Sequence, residues 1–236
     1  MEARTLLLVL MTLIVIGIAG LVSYQLLSGT GITTTSTGIR PQKQSVQLIG
    51  PLHSGQDSLS LTANLPLSMN ENNGIEFSYA AWILINDYTY GTSKVVDIFN
   101  KGAATSVQLK VDTNTLIVNQ PTYQDAQTSI QIRNLPAEKL FHIAVCVTQT
   151  TLDVYINGLL HTHRSLDSLP IQNQDPIQVG PNGGWKGRIG SFWYYNYALS
   201  GGEVRQLAAQ KAVRDPNDEP PNPPYFDTSW WIGRRG

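Results

Sequence analysis

Asn157-Gly158 is the point in this chain that most constrains its fold. Both residues tolerate the positive φ that a two-residue hairpin turn demands. The sequence alternates on either side of it. Leu152, Val154 and Ile156 share one face of the strand before the turn, and Phe141, Ile143, Val145 and Val147 share one face of a strand further upstream. Residues 159–166 return as a third strand. The pattern fixes an antiparallel β architecture.

Further strand patterns recur along the chain. They fall at residues 46–49, 58–62, 75–85, 94–100, 106–111, 115–119, 129–133, 177–180 and 188–195. Asn72-Asn73-Gly74 and Asp112-Thr113-Asn114 are turn residues between them. Many short strands without intervening helices predict an all-β fold, a sandwich or jelly roll. The run at 79–85, YAAWILI, is continuously apolar, so this strand is expected to be covered on both faces or bulged, with Trp82 in the core. One helix is expected at 200–214, opened by a capping box of Ser200 and Glu203.

The ends of the chain differ from the middle. No charge occurs between Arg4 and Arg40. Residues 5–27 form a hydrophobic stretch of about 34 Å as a helix, enough to cross a hydrocarbon core of roughly 30 Å. This predicts a transmembrane anchor at residues 1–27 whose contact with the lipid bilayer is made by 5–27. The stretch is longer than a signal-peptide core, which favours a retained anchor, although Gly17-Ile18-Ala19 has the small residues of a cleavage site. Arg4 before the segment places the N-terminus in the cytoplasm and the folded domain on the exported side, or on the capsid-facing side of a membrane within a virion. A Ser/Thr/Gly linker follows at 28–43, then the sandwich at 44–214. Residues 215–236 hold five prolines and end in Tyr225, Phe226, Trp230 and Trp231. That tail cannot build helix or sheet through its prolines. Its aromatic residues suit docking, on a partner or back on the chain's own domain.

A net charge of −1 gives no reason to expect nucleic acid as a partner. The single cysteine, Cys146, excludes an intramolecular disulfide and reads as a half-buried filler. The absence of an Asn-X-Ser/Thr sequon leans towards a bacterial or viral source, or a compartment without glycosylation.

Several stretches together resemble the laminin-G-like members of the concanavalin A-like lectin/glucanase superfamily. They are Phe141-His142-Ile143-Ala144-Val145, Leu152-Asp153-Val154-Tyr155-Ile156-Asn157-Gly158, and the run from Gly187 through Phe192-Trp193-Tyr194-Tyr195 to Leu199-Ser200. Upstream, Phe77 to Trp82 and Ile98-Phe99-Asn100-Lys101-Gly102 fit the same family in order and spacing. The resemblance covers residues 46–209 and narrows the fold to an antiparallel two-sheet jelly-roll sandwich. It implies a lectin-like domain that binds glycans or proteins through loops at the sandwich edge. On that basis Trp185, Asn182, Tyr123 and Tyr88 are the candidate ligand-binding residues. Outside the resemblance, the aromatic residues Tyr225, Phe226, Trp230 and Trp231 mark a partner-docking tail by their type and place alone.

Where the family often carries acidic residues, this chain has Gln149-Thr150-Thr151 and Gly190-Ser191. No cofactor is therefore expected. Asp87, Asp97, Asp112 and Asp175 remain as oxygen donors for calcium, but no spacing among them specifies a metal loop. His161 and His163 share a strand face but lack the nearby ligands that would complete a zinc site. Glycan hydrolysis needs two carboxylates held on one rigid frame. Glu71 and Glu76 flank turn residues and do not supply it. Gly180 to Gly184 opens no helix and is no phosphate cradle.

The expectation is a non-catalytic, membrane-anchored interaction module that binds protein or glycan. Its layout is similar to that of small membrane-anchored virion proteins of large DNA viruses, which implies a structural or assembly tether. A carbohydrate-binding surface lectin is the alternative, and a glycan hydrolase the remote one.

Overall fold

The computed structural model describes Met11 and residues 42–61, 65–68, 74–88, 94–125 and 128–210. The expected anchor (Met11 aside), the linker up to residue 41 and the aromatic tail lie outside the described residues.

The first strands in chain order are β1 (Ser45–Ile49), β2 (His53–Ser54), β3 (Leu59–Leu61), β4 (Phe77–Ile85), β5 (Val95–Asn100) and β6 (Ser106–Lys110). Then come β7 (Thr115–Asn119), β8 (Ser129–Arg133), β9 (Phe141–Val147), β10 (Thr151–Ile156) and β11 (Leu159–Ser165). β12 (Ile177–Val179), β13 (Gly187–Tyr195) and the helix α1 (Gly201–Ala209) complete the described elements. One sheet has the order β1-β13-β4-β9-β10-β11, with β2 also paired to β13, and the other has the order β3-β12-β5-β6-β7-β8. Every strand pair is antiparallel, and partners distant in sequence, such as β4 with β13, lie side by side as in a jelly roll.

Alternation explains the core. Along β6 and β7, Val107, Leu109, Leu116 and Val118 are buried, while Gln108, Ile117 and Asn119 point the other way. Between the sheets the rings interlock. Phe99 lies 4.8 Å from Phe192 and 5.4 Å from Tyr79, and Tyr79 lies 5.4 Å from Tyr194. Such pairs each contribute about 0.5–1.5 kcal/mol beyond the area they bury.

β9 is buried at every position, because both of its faces are covered. Phe141, Ile143, Val145 and Val147 face the opposite sheet, whereas Ala144 and Cys146 pack with Ala80, Tyr195, Leu199 and Val204 of α1 on the outer side. The same cover explains most of the apolar run in β4. Trp82 departs from the expectation. It is half-buried on the outer side, edge-on to the buried His142 at 5.4 Å.

The hairpin between β10 and β11 turns through Asn157 at φ 50° and Gly158 at φ 81°. α1 starts as expected. The Ser200 side chain accepts from the Glu203 N–H, and Glu203 in turn accepts from the Ser200 N–H at 2.7 Å. The helix stops at Ala209, short of the expected 214, with Gln210 extended at φ −65° and ψ 141°. β2 was not expected. Two residues carry no alternation, and their pairing is set by β13.

Candidate functional site

Register places a polar surface on the outer side of the β3-β12-β5-β6-β7-β8 sheet. Ser60 pairs with Gln178, Gln178 with Asn100, Asn100 with Ser106, Ser106 with Asn119, and Asn119 with Ser129. One polar row therefore crosses all six strands. The next row runs Asp97, Gln108, Ile117, Gln131, and the one beyond it Val95, Lys110, Thr115, Arg133. Alternation turns the β6, β7 and β8 members of these rows away from the core, with Thr115 covered by its neighbours, while in β5 a bulge that buries both Ile98 and Phe99 keeps Asp97 and Asn100 on the same outer side.

The polar groups bind one another laterally. Asp97 accepts from Gln108 Nε2 at 2.7 Å and from Asn100 Nδ2 at 2.8 Å. Asn119 Nδ2 donates to Gln108 Oε1 and to Ser106 Oγ, both at 3.0 Å, and Gln178 Nε2 donates to Ser60 Oγ at 2.9 Å. Shared side-chain bonds hold these amides in fixed orientations. An amide keeps donor and acceptor capacity beyond one such bond, so the face offers both kinds of group to a hydroxyl-rich ligand. At one end it deepens into a depression of about 460 Å³ lined by Lys110, Thr113, Thr115, Gln131 and Arg133. These rows carry one carboxylate, Asp97.

The residues expected to bind ligand do not meet. Trp185 is a correction. It is 0% exposed, its indole N–H donates to Leu84 O at 3.1 Å, and its ring packs against the backbone of Gly55. A ring covered on this scale presents no face to a sugar. Its burial depends on Gly55 and Gly187, where a Cβ would come within 2.5 Å and 2.6 Å of the indole. Asn182 is exposed in the turn Pro181–Gly183, at φ 57°. Tyr88 is half-buried against the core, and its hydroxyl donates to Pro136 O at 3.4 Å. Burial raises its pKa.

Tyr123 is 70% exposed, beyond the end of β7. Its N–H donates to Leu169 O, in the segment leaving β11 beside the start of β10. Tyr88 instead follows the last residue of β4, where β13 begins. These two tyrosines therefore occupy opposite ends of the sandwich. Tyr225, Phe226, Trp230 and Trp231 lie outside the described residues.

The carboxylates considered for calcium have local partners. Asp97 holds the two amides above, Asp175 Oδ2 accepts from Asn173 at 2.6 Å, Asp112 pairs with Lys110 at 3.8 Å and Asp87 with Lys186 at 3.5 Å. His163 Nδ1 meets Asp153 Oδ1 at 2.5 Å, and His161 Nδ1 meets Thr162 Oγ1 at 2.8 Å. Among the described residues, no three His, Cys, Asp or Glu side chains lie close enough together to hold a metal ion.

The buried ionisable groups serve the frame. Lys101 is 4% exposed, and its ammonium donates to Asn173 O at 2.6 Å and Asp175 O at 2.9 Å, tying the loop before β12 to the end of β5. Burial lowers its pKa, against a smaller opposing effect from Asp175. Burial pushes the Cys146 thiol up to about 12, which makes it a poor nucleophile, and pushes His142 down to about 4.

Fold and face together define a lectin-like jelly-roll sandwich. The laminin-G-like family model of the concanavalin A-like lectin/glucanases superfamily matches residues 53–205, and the chain belongs to that superfamily. None of the curated proteins matches it.

Solved structures share the fold at low identity. The receptor-binding domain of botulinum neurotoxin mosaic serotype C/D is 13% identical, with a TM-score of 0.53 over 71% of this chain and 45% of that one. The binding domain of botulinum neurotoxin serotype D/C is 16% identical, with a TM-score of 0.53 over 73% and 48%. The binding domain of botulinum neurotoxin DC, solved in complex with rat synaptotagmin II, is 14% identical, with a TM-score of 0.50 over 73% and 47%. This chain spans less than half the length of each.

Proposed function

We propose that this protein is a non-catalytic interaction module that binds a glycan through the outer face of the β3-β12-β5-β6-β7-β8 sheet. The observation that carries the reading is the polar row crossing every strand of that sheet, with its amides held by lateral hydrogen bonds. Sugar hydroxyls both donate and accept, and amides fixed in advance lose little side-chain freedom on binding them. The non-catalytic part rests on the carboxylate count. Glycoside hydrolysis uses a pair about 5–9 Å apart, whereas Asp97 stands alone in these rows.

A protein partner is the second reading. One structure of the same fold is a neurotoxin binding domain in complex with synaptotagmin II. In that case the module serves as a structural or assembly tether, as in a membrane-anchored virion protein. In either reading residues 5–27 anchor the chain in a bilayer, with the N-terminus cytoplasmic and the domain on the exported or capsid-facing side. Retention of the full chain in membranes after carbonate extraction supports the anchor, and release into the supernatant refutes it.

The glycan reading is tested on a glycan array with the full chain in detergent. Saturable hits with an affinity in the micromolar range or better support it. A blank array, with a protein partner co-purifying, moves the assignment to the second reading.

A further inference from the structure

α1 leaves a groove open on the outer side of its sheet. The groove has a volume of about 210 Å³, and Tyr195, Tyr197, Leu199, Leu207 and Gln210 line it, with Glu203 at its side. Its wall is aromatic. The Tyr195 and Tyr197 rings meet edge to face at 5.7 Å, and Tyr195 stacks on Trp193 at 6.5 Å. The Lys43 ammonium sits 4.6 Å from the centre of the Tyr197 ring. Trp193, Tyr197 and Leu207 are only partly buried there.

We propose that the proline run at residues 220–224 of this same chain docks in that groove. The proposal does not depend on the glycan reading, since the groove and the polar face belong to different sheets.

Three observations single out this occupant. First, the chain leaves α1 through the wall of the groove. Gln210 both lines the groove and ends the helix, its N–H donating to Leu207 O at 3.2 Å. Its φ of −65° and ψ of 141° are extended, so the backbone turns out of the helix at the groove itself.

Second, the chemistry matches. Pro220, Pro221, Pro223 and Pro224 have no N–H to satisfy, and extended proline segments seat their rings between the aromatic side chains of such grooves. The run is also followed at once by Tyr225 and Phe226, which bring further apolar area to the rim.

Third, the reach is short. Residues 211–219 span at most about 30 Å when extended, while the groove starts at Gln210 itself. A tether of that length gives a local concentration on the order of millimolar, which favours the chain's own tail over a separate partner of modest affinity. Docking would also hold Tyr225 and Phe226 beside α1, so the tail read from the sequence as a partner-docking element would be latched to its own domain.

The test is disulfide trapping in the full chain. Gln206→Cys, on the helix at the groove, is combined with Asn222→Cys in the proline run. A control pair combines Gln131→Cys, on the opposite polar face, with the same Asn222→Cys. Native Cys146 is 3% exposed and stays out of the exchange. Under mild oxidation, the proposal expects the Gln206 pair to close within one chain at least tenfold faster than the control pair. Adding Tyr197→Ala should bring its rate down to that of the control. Equal rates for the two pairs would overturn the proposal. A Gln206 disulfide found only between two chains would overturn it as well, by assigning the groove to a second copy.

Discussion

Acid should weaken this sandwich through one buried imidazole. His142 sits on β9 with 2% of its surface exposed, and its Nδ1 has no hydrogen-bond partner among the described residues. Burial disfavours the imidazolium and holds its pKa at about 4, against 6.5 for a free histidine. The folded-state pKa is depressed, so the unfolded chain takes up the proton first as the pH falls. Stability is intact above pH 6.5 and is lost as the pH drops towards 4. A difference of 2.5 pKa units corresponds to about 3 kcal/mol at pH 4. The assay is urea denaturation of the native chain and of His142→Leu at pH 7 and pH 4, each followed by circular dichroism. Carboxylates common to both chains cancel in the comparison. The native chain should lose about 3 kcal/mol more than the variant between the two pH values. Equal losses would show that the buried imidazole is not what links stability to acid.

Other consequences follow from the packing and from the helix cap. Trp185→Ala should destabilise the domain by about 3–5 kcal/mol, because it empties a fully buried site, and calorimetry would read it as a large drop in Tm. Gly55→Ala should cost about 1–3 kcal/mol, since its Cβ would lie 2.5 Å from the Trp185 ring; an unchanged urea midpoint would contradict the close packing. Ser200→Ala removes the acceptor at the start of α1 and should cost about 0.5–2 kcal/mol, seen as faster amide exchange confined to Gly201–Ala209.

The fold was legible where the signals were local. Alternation around Asn157-Gly158 marked β9, β10 and β11 to within a residue or two, and Ser200 with Glu203 marked the start of α1. β2 was not legible, because two residues have no period and their pairing is dictated by β13 from across the sequence. Trp185 shows the limit most clearly. In sequence it stands in a Gly-rich stretch and reads as an exposed loop aromatic. Its burial is decided by Gly55, far upstream, and by the carbonyl of Leu84. The polar face lies between these cases. That Gln108, Asn119 and Gln131 point away from the core follows from strand period alone. That they form continuous rows with Ser60, Gln178 and Asn100 depends on register between distant strands, which local patterns do not encode.

The polar face as the ligand contact is the claim that most needs a direct measurement. Isothermal titration of the tightest array ligand into the full chain, into Gln108→Ala/Asn119→Ala and into Tyr123→Ala supplies it. Both substitutions in the pair lie on the solvent side of the sheet and leave the core untouched. The account predicts at least a tenfold loss of affinity in the double variant and none in Tyr123→Ala. Unchanged affinity in the double variant, with binding lost in Tyr123→Ala, would contradict it and return the site to the loops at the sandwich end.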